Sequence, residues 1–519
     1  MSALNKNLEK VIDLGLDSLF NQINRGLEKE SLRVDTDGAM AQTPHPTTLG
    51  AALTHPSITT DFAEAQLEFV TPVSQDIDSL TNFLTEAHHF TYQNIGDEKL
   101  WASSMPCIIK EGAPIPIARF GSSNIAKMKE TYRLGLGHRY GQLMQTISGI
   151  HYNFSLPKEF WPFYLGIADG PELQDAISAE YLKLIRNFHR SSWIILYLFG
   201  ASPAVCKTFL NDREHSLDEY AGSSFYAPYG TSLRMSNLGY SNDAQSSIKA
   251  CYNQLSTFTE SLVEAMHTPH AEYEEIGVKV NGEYQQLNAN LLQIENEFYA
   301  AIRPKRVADS GEKPSEALSS RGVEYIEVRS VDLNPYVPIG IDQETIIFLD
   351  MYLLYCLFND SPLLDDKDLA ENHQNKVDTV MVGRKPGLNL SRDGQSISLK
   401  QWSTEIIEEM RPIARILDSI HFTRRYGQVL DSQLESIEDP SKTLSGRILQ
   451  DMQSNYSSFY EFAIAKSEEH ETFFKHLRLN ESARTNFANL AKSSLADQAE
   501  IEANDTVDFD AFLEDYFKV

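Results

Sequence analysis

The chain has 519 residues, of which 42% are hydrophobic and 23% charged, and its formal net charge at pH 7 is −28. This length is enough to bury a large core and corresponds to at most about three domains. The strong negative charge argues against a surface for nucleic acid or for an anionic membrane, because both require local positive potential. We therefore expect a globular protein that has neither nucleic acid nor membrane as a partner.

The four cysteines are far apart, and their spacing matches neither a disulfide framework nor a zinc site. Residues 1–20 carry apolar side chains at helical spacing among charged ones, which predicts an amphipathic helix instead of a signal peptide. The most apolar runs, 193–199 and 345–358, are too short or too interrupted to cross a bilayer. We expect a cytoplasmic protein without a membrane segment.

Residues 25–34, with the sequence RGLEKESLRV, contain two acidic side chains two positions apart, Glu28 and Glu30. In an extended segment successive side chains alternate between faces, so both carboxylates point to one face of the sheet and Lys29 points to the other. Taken alone, such a pair is more often solvated than bound to metal. The pair becomes a candidate for metal binding only if further strands also carry polar residues on the same face of the sheet.

Three later segments alternate polar and apolar residues in the way that a half-buried strand does. These segments are 59–72, 145–157 and 322–335, and their polar residues are, in turn, Glu68 with Asp61 nearby, His151, and Glu327 with Arg329. We also predict that 287–306 is a strand, with Gln293, Glu295, Glu297, Tyr299 and Arg303 on one side. The segments together predict a sheet with one polar face.

Helical patterns occupy most of the remaining chain. Residues 76–96 and 125–140 predict two helices, and the second carries Tyr132 and Arg133. Beyond Pro338 the pattern changes to long helices joined by polar linkers, which we place at 360–374 and 386–399.

This change of pattern predicts a soft domain boundary. Residues 1–340 would form a sheet-containing catalytic region with helices, and residues 341–519 a mostly helical region packed on it. The two regions are also compatible with a single catalytic unit.

If the predicted strands are neighbours in one sheet, their carboxylates converge and repel one another unless cations relieve the repulsion. A set of oxygen ligands with one imidazole suits Mg²⁺ or Mn²⁺ better than zinc or copper. Because the chain contains no GxxxxGK[ST] motif, a triphosphate would be bound without a glycine-rich loop. The candidates for neutralising phosphates are Arg133, Arg329, Arg303, Lys305 and Arg306.

Each of these residues also has an ordinary structural interpretation. An arginine is as often part of a surface ion pair, and a strand histidine such as His151 is more often hydrogen-bonded than metal-bound. For Tyr132, Tyr240 and Tyr299, core packing with the hydroxyl at the rim is favoured. The residue pattern therefore predicts a metal-dependent phosphoryl site but does not identify a substrate.

Four long motifs resemble those of a known family. RGLEKESLRV, ITTDFAEAQLEFVTP, YGQLMQTISGIHYNFSLP and VEYIEVRSVDLNP are similar to the proteobacterial type of glutamate–cysteine ligase (γ-glutamylcysteine synthetase), and the similarity runs nearly the whole length. The resemblance implies an α+β fold in which helices surround an antiparallel sheet cradle like that of glutamine synthetase. It also implies ATP with Mg²⁺, or Mn²⁺ as an alternative, and the first step of glutathione biosynthesis.

The resemblance assigns roles to individual residues. The implied metal ligands are Glu28, Glu30, Asp61, Glu68, His151 and Glu327. Arg133 and Arg329 would hold the transferred phosphate, with Arg303 and Lys305 as further candidates for binding ATP. The implied contacts with the amino-acid substrates are Phe62, Tyr132, Gln145, Ile147, Arg234, Tyr240 and Tyr299.

The reaction that the resemblance implies has two steps. The γ-carboxylate of L-glutamate attacks the γ-phosphate of ATP, giving an acyl phosphate and ADP, and the amino group of L-cysteine then displaces phosphate. A lid would exclude water, either the loop 226–242 or the region after residue 300. The family further implies a monomer that is inhibited by glutathione. The alternatives are a ligase with another amine acceptor and a catalytically silent binder of divalent cations.

Overall fold

The computed structural model describes residues 2–106, 108–109, 112–210, 213–239, 248, 250–309, 312–478 and 480–518. The strands are β1 (Asn24–Val34), β2 (Ile58–Thr60), β3 (Gln66–Val70), β4 (Lys99–Leu100), β5 (Ile150–Ser155), β6 (Ala204–Cys206), β7 (Asp218–Tyr220), β8 (Ser224–Tyr226), β9 (Lys279–Val280), β10 (Glu283–Tyr284), β11 (Ile302–Lys305), β12 (Tyr325–Val331), β13 (Asn389–Arg392) and β14 (Gln395–Ser398).

The helices of the described residues surround these strands. They are α1 (Ala3–Asp13), α2 (Ile77–Tyr92), α3 (Asn124–Tyr140), α4 (Phe160–Leu165), α5 (Pro171–Ser191), α6 (Trp193–Phe199), α7 (Lys207–Leu210), α8 (Leu255–His267), α9 (Ala271–Ile276), α10 (Pro314–Arg321), α11 (Gln343–Phe358), α12 (Asp366–Val382), α13 (Leu399–Ile420), α14 (Arg425–Glu438), α15 (Leu444–Asn455), α16 (Phe459–His476), α17 (Glu481–Asn504) and α18 (Phe509–Tyr516).

Strand β1 lies at the centre of the main sheet. It pairs with β3 on one edge and with β5 on the other, and the strand order across the sheet is β11-β12-β5-β1-β3-β2, with β4 against the end of β1. All these pairings are antiparallel. The register sets Glu30 opposite Glu68 and Glu28 opposite His151. The predicted α+β fold with an antiparallel sheet is therefore confirmed.

Helix α11 explains why the apolar run 345–358 belongs to the core. All its residues from Thr345 to Phe358 are buried, and its one charged residue in that run, Asp350, is fully buried. Asp350 accepts a hydrogen bond from the Tyr152 hydroxyl at 2.5 Å and forms an ion pair with Arg25 at 2.7 Å. Strands β1 and β5 thus supply the partners of this buried charge. In the part of the chain described here, no helix has both the length and the apolar character needed to cross a bilayer.

The end of the chain returns to helix α3. The carboxylate of Asp505 accepts a hydrogen bond from the backbone N–H of Asn124, and that of Glu502 accepts one from Ser122 at 2.7 Å. Helix α18 adds Leu513 to a small apolar cluster that includes Met128 of α3. The C-terminal segment therefore helps to fix α3 in place across the sheet.

Two local predictions are wrong. Residues 287–306 are not one strand: a 3₁₀ helix spans Glu295–Glu297, and only Ile302–Lys305 pairs as β11. The Glu297 carboxylate accepts a hydrogen bond from the backbone N–H of Gln293 at 2.6 Å, which favours a turn over an extended segment.

The other error concerns the supposed linkers beyond residue 340. Helix α12 starts inside 360–374, where Asp365 and Asp368 form a capping box, and 386–399 contains the hairpin β13–β14. The predicted boundary near residue 340 stays a prediction.

Candidate active site

One face of the main sheet gathers acidic side chains from three strands and a histidine from a fourth. We call this set the acidic floor, and its members are Glu28, Glu30, Glu68, His151 and Glu327. Ligand atoms of Glu28, His151 and Glu327 all lie within 4.8 Å of one another. The His151 ring contacts Glu28 through Nδ1 at 2.9 Å and lies 3.7 Å from Glu30 through Nε2. The antiparallel register brings these distant residues together.

Like charges on the acidic floor shift its pKa values. Burial, followed by repulsion from Glu28 and Asp61, raises the pKa of Glu68 well above its ordinary value. Burial and the neighbouring Asp61 also raise the pKa of Glu30. The crowded carboxylates and one imidazole form a set of hard ligands. A divalent cation bound among them would relieve their mutual repulsion, so the residues present fit Mg²⁺ or Mn²⁺.

Basic side chains of β11 and β12 lie beside the floor. Lys305 Nζ is 3.2 Å from Glu327, and Arg329 Nη1 donates to the same carboxylate at 3.0 Å. Burial opposes ionisation of Glu327, but these two cations hold its pKa well below the usual value. Arg303 is the cross-strand neighbour of Glu327, and burial together with the charge of Arg329 lowers its pKa to about 10.

Helix α3 forms a second side of the site. We call it the helix wall, and the side chains it contributes are Lys129, Tyr132, Arg133, Leu136 and Tyr140. The spacing of three, four and seven residues puts them on one face of the helix. Arg133 donates through Nε to the carbonyl of Asp61, and its guanidinium lies 4.5 Å from the centre of the Phe120 ring.

Arg234 reaches the site from a 3₁₀ helix, Leu233–Met235. Its guanidinium is buried, donates to the Arg329 carbonyl at 2.8 Å and lies 3.7 Å from Asp332. Gly149 leaves the room for it, because a Cβ at that position would overlap the guanidinium. The backbone N–H of Gly149 also donates to Glu30 at 2.8 Å. This glycine therefore positions both a carboxylate, that of Glu30, and a guanidinium, that of Arg234.

The floor, the helix wall and these cations enclose one cavity of about 340 Å³. The predicted site residues that line it are Glu28, Glu30, Asp61, Glu68, His151, Glu327, Arg133, Arg329, Phe62, Tyr132, Gln145, Arg234, Tyr299, Arg303 and Lys305. Ile147 is fully buried and is not among the residues that line the cavity. Tyr240 lies outside the described residues.

Sequence reasoning missed other residues that line the cavity. They are Lys129, Leu136, Tyr140, Met144, Asn296 and Glu297. For Lys129 the signal was present, because it precedes Arg133 by one helical turn. Glu297 was predicted on the polar side of the strand 287–306 but was not assigned to the site, and its carboxylate accepts hydrogen bonds from Arg139 at 2.8 Å and from the Tyr140 hydroxyl at 2.5 Å.

A cavity that sets an acidic antiparallel floor against clustered arginines and lysines is suited to a divalent cation and a polyphosphate. The fold and the site together indicate an enzyme of the phosphoryl-transfer class whose site residues fit a divalent cation.

Comparison with known proteins narrows this class. The family model for glutamate–cysteine ligase matches residues 8–379. The glutamate–cysteine ligase of Alcanivorax borkumensis is 47% identical over 523 aligned residues that cover 100% of both chains, and that of Pseudomonas putida is 47% identical over 500 residues, 96% of this chain and 95% of that protein. The chain belongs to the glutamate–cysteine ligase family.

A solved structure supports the same assignment. The crystal structure of a glutamate–cysteine ligase from Francisella tularensis in complex with AMP superposes with a TM-score of 0.88 at 34% identity, covering 95% of this chain and 97% of that one. The resemblance found in the sequence is thus confirmed. The protein is an ATP-dependent ligase of the first step of glutathione synthesis.

Proposed function

We propose that this chain joins the γ-carboxylate of L-glutamate to the amino group of L-cysteine through γ-glutamyl phosphate. The observation that carries the proposal is the acidic floor facing arginine and lysine side chains within one cavity. A carboxylate is a poor electrophile, so ATP must first convert it into an acyl phosphate. Both steps then require a site that handles several anions at once.

The metal ligands in this proposal are Glu28, Glu30, Asp61, Glu68, His151 and Glu327. The grouping of ligand atoms of Glu28, His151 and Glu327 within 4.8 Å supports it, as does the raised pKa of Glu68. Bound Mg²⁺, or Mn²⁺ in its place, would screen the repulsion between the glutamate carboxylate and the triphosphate.

In this scheme Arg133 and Arg329 bind the phosphoryl group while it is transferred from ATP to glutamate. Arg329 is oriented by its hydrogen bond to Glu327 at 3.0 Å, so its remaining N–H groups are fixed before the reaction begins. Arg303 and Lys305, on the neighbouring strand, bind phosphate oxygens of ATP. The γ-carboxylate oxygen attacks the γ-phosphorus, and the bond to the ADP oxygen breaks with its electron pair leaving on ADP.

The amino-acid substrates bind at the other side of the cavity. Arg234 binds a substrate carboxylate, which its burial and its fixed position between the Arg329 carbonyl and Asp332 support. The further substrate contacts in this proposal are Phe62, Tyr132, Gln145 and Tyr299, which line the cavity, and Ile147 and Tyr240, for which the family resemblance is the only support.

In the second step the neutral amine of cysteine attacks the acyl carbon, phosphate leaves with the electron pair of the broken bond, and the nitrogen of the new amide gives up one proton to the departing phosphate. The intermediate must be protected from water, so we propose that a lid closes over the cavity. The loop 226–242, which contains Arg234, and the region after residue 300 are the candidate segments.

Glutathione contains the product of this reaction, so it can occupy the amino-acid part of the cavity. We therefore include feedback inhibition by glutathione in the proposal. The family resemblance supports a monomer, and the thiol substrate supports a reducing cytoplasm as its location.

Release of ADP by the purified full-length chain tests the proposal. With ATP, Mg²⁺ and L-glutamate, we expect ADP release to require L-cysteine and to be much slower with other amines. A faster rate with another amine would identify a ligase with a different acceptor. If Mg²⁺ raised the melting temperature but no nucleotide were consumed with any amino acid, the acidic floor would be only a cation-binding site and the proposal would fail.

A further inference from the structure

Lys129 lies on the helix wall one turn before Arg133, and both side chains line the cavity. Both cations lie near the ring of Phe120. Lys129 Nζ is 5.1 Å from the ring centre, and the Arg133 guanidinium is 4.5 Å from it. An aromatic ring stabilises a nearby cation only weakly, and this stabilisation is small beside the repulsion of two partly buried like charges. The charges of Glu68 and Asp61 favour both cations, but the ring itself offsets little of their mutual repulsion.

The other cations of the cavity differ from Lys129 in their partners. Lys305 and Arg329 both pair with Glu327, and Arg234 lies near Asp332. The backbone carbonyl of Lys129 accepts a hydrogen bond from Arg133 Nη1 at 3.0 Å, but within the described residues the Lys129 ammonium forms no hydrogen bond or ion pair, and its side chain is only partly exposed. Burial and the adjacent Arg133 lower its pKa to about 8.

An ordinary explanation is that Lys129 simply extends its ammonium into water past an apolar stem. Lys127, on the same helix, does this, because its side chain is exposed. Lys129 instead borders the cavity next to Arg133, on the side where the charges of Glu68 and Asp61 act on it. An anion bound between Lys129 and Arg133 would satisfy both cations at once.

We propose that Lys129 is a further catalytic residue, whose ammonium binds oxygens of the transferred phosphoryl group together with Arg133. This inference rests on the proposed function. As the bond from the glutamate carboxylate to the γ-phosphorus forms and the bond to ADP breaks, negative charge spreads over the phosphoryl oxygens. Lys129 stays protonated throughout and stabilises this charge, so no proton transfer is assigned to it.

Three variants of the full-length chain test this role: Lys129→Met, Lys129→Arg and the matched control Lys127→Met. For Lys129→Met we expect kcat for ADP release to fall by about 10²-fold or more, with a smaller change in KM for ATP, because the contact strengthens in the transition state. Lys129→Arg keeps the charge and should retain activity to within about tenfold. Lys127→Met should match the wild type.

The melting temperature separates a catalytic role from a structural one. Loss of Lys129 removes repulsion with Arg133, so Lys129→Met should melt at or above the wild-type temperature. The inference is overturned if Lys129→Met keeps kcat within about threefold, if only KM for ATP changes, or if Lys129→Arg is as inactive as Lys129→Met. A wild-type chain that releases no ADP would overturn the proposed function and this inference with it, whereas an active Lys129→Met overturns the inference alone.

Discussion

The acidic floor and the helix wall face each other across one cavity but are built in different ways. The floor takes its carboxylates from three strands and its imidazole from a fourth, all far apart in the sequence, and the sheet register brings them together. The wall takes its cations from neighbouring turns of α3. Each surface alone concentrates charge of one sign. A metal ion bound with a polyphosphate would neutralise both, so we regard them as two halves of one site.

Removal of a floor carboxylate should give the largest effect. We expect Glu28→Gln or Glu327→Gln to lower ADP release by about 10³-fold or more, because a metal ligand is lost from a site that handles several anions. Glu28→Gln should keep the fold, since it also removes repulsion from Glu327, whereas Glu327→Gln leaves Lys305 and Arg329 without their carboxylate partner and should melt lower than Glu28→Gln. Activity and the circular dichroism spectrum should be measured together at ordinary Mg²⁺. Near-normal rates in either variant would refute the assignment, and Glu172→Gln, at an exposed position, serves as the control.

Displacement of Arg234 should give the next largest effect. In Gly149→Ala the added Cβ overlaps the Arg234 guanidinium, so the arginine must leave the position in which we propose that it binds a substrate carboxylate. We expect kcat/KM for glutamate to fall by about 10–10²-fold, because small misplacements of a binding group are costly. In Gly427→Ala the new Cβ approaches only the Asp418 carboxylate, at 3.2 Å, and the variant should behave as the wild type. Equal rates for the two variants would contradict the role of Arg234.

The stability of the metal-free chain should reveal repulsion in the floor. The pKa of Glu68 is raised in the folded state above its ordinary value of 4.5, so the stability it contributes is present below that value and is lost as the pH rises through the folded pKa. In the presence of a chelator, Glu68→Gln should therefore melt about 1–3 °C above the wild type at pH 8, and the difference should shrink toward pH 5.

Addition of Mg²⁺ completes this experiment. The ion should raise the melting temperature of the wild type at pH 8 more than that of Glu68→Gln, because only the wild type has the full set of carboxylates to bind it. If the metal-free Glu68→Gln protein melts below the wild type at pH 8, the inferred repulsion between Glu68 and the neighbouring carboxylates is contradicted.

Replacement of cysteines should give the smallest effect. Cys206 and Cys356 are buried, Cys251 is half-buried, and none of the three lines the cavity. Burial raises the pKa of the Cys206 thiol to about 12, so it is not a reactive thiolate. Each Cys→Ser variant should keep turnover within about tenfold, because the scheme needs no cysteine nucleophile. A collapse of activity in any of them would show that the chemistry is different.

The two surfaces also differ in how well the sequence predicts them. Period-2 alternation placed Glu28 and Glu30 on one face and also picked out His151 and Glu327 on later strands, and the family resemblance then implied that all four are metal ligands. The strand register and the side-chain contacts could not be predicted from the sequence, because they depend on residues that are far away in the chain. The space that Gly149 leaves for Arg234 is one example.

Local hydrogen bonds explain the main error. Residues 287–306 alternate as a strand does, but Glu297 accepts the N–H of Gln293 and the segment turns. Lys129 was missed although it precedes Arg133 by one helical turn, because by residue type alone a helical lysine looks like any solvated one. Only the cavity distinguishes it from the exposed Lys127.

Anomalous diffraction from crystals grown with Mn²⁺, ADP and phosphate tests most directly whether the floor and the wall act as one site. We predict Mn²⁺ bound by Glu28, His151 and Glu327, with a phosphate between the metal and Arg133. Mn²⁺ found only outside the cavity, or phosphate bound away from α3, would contradict the account.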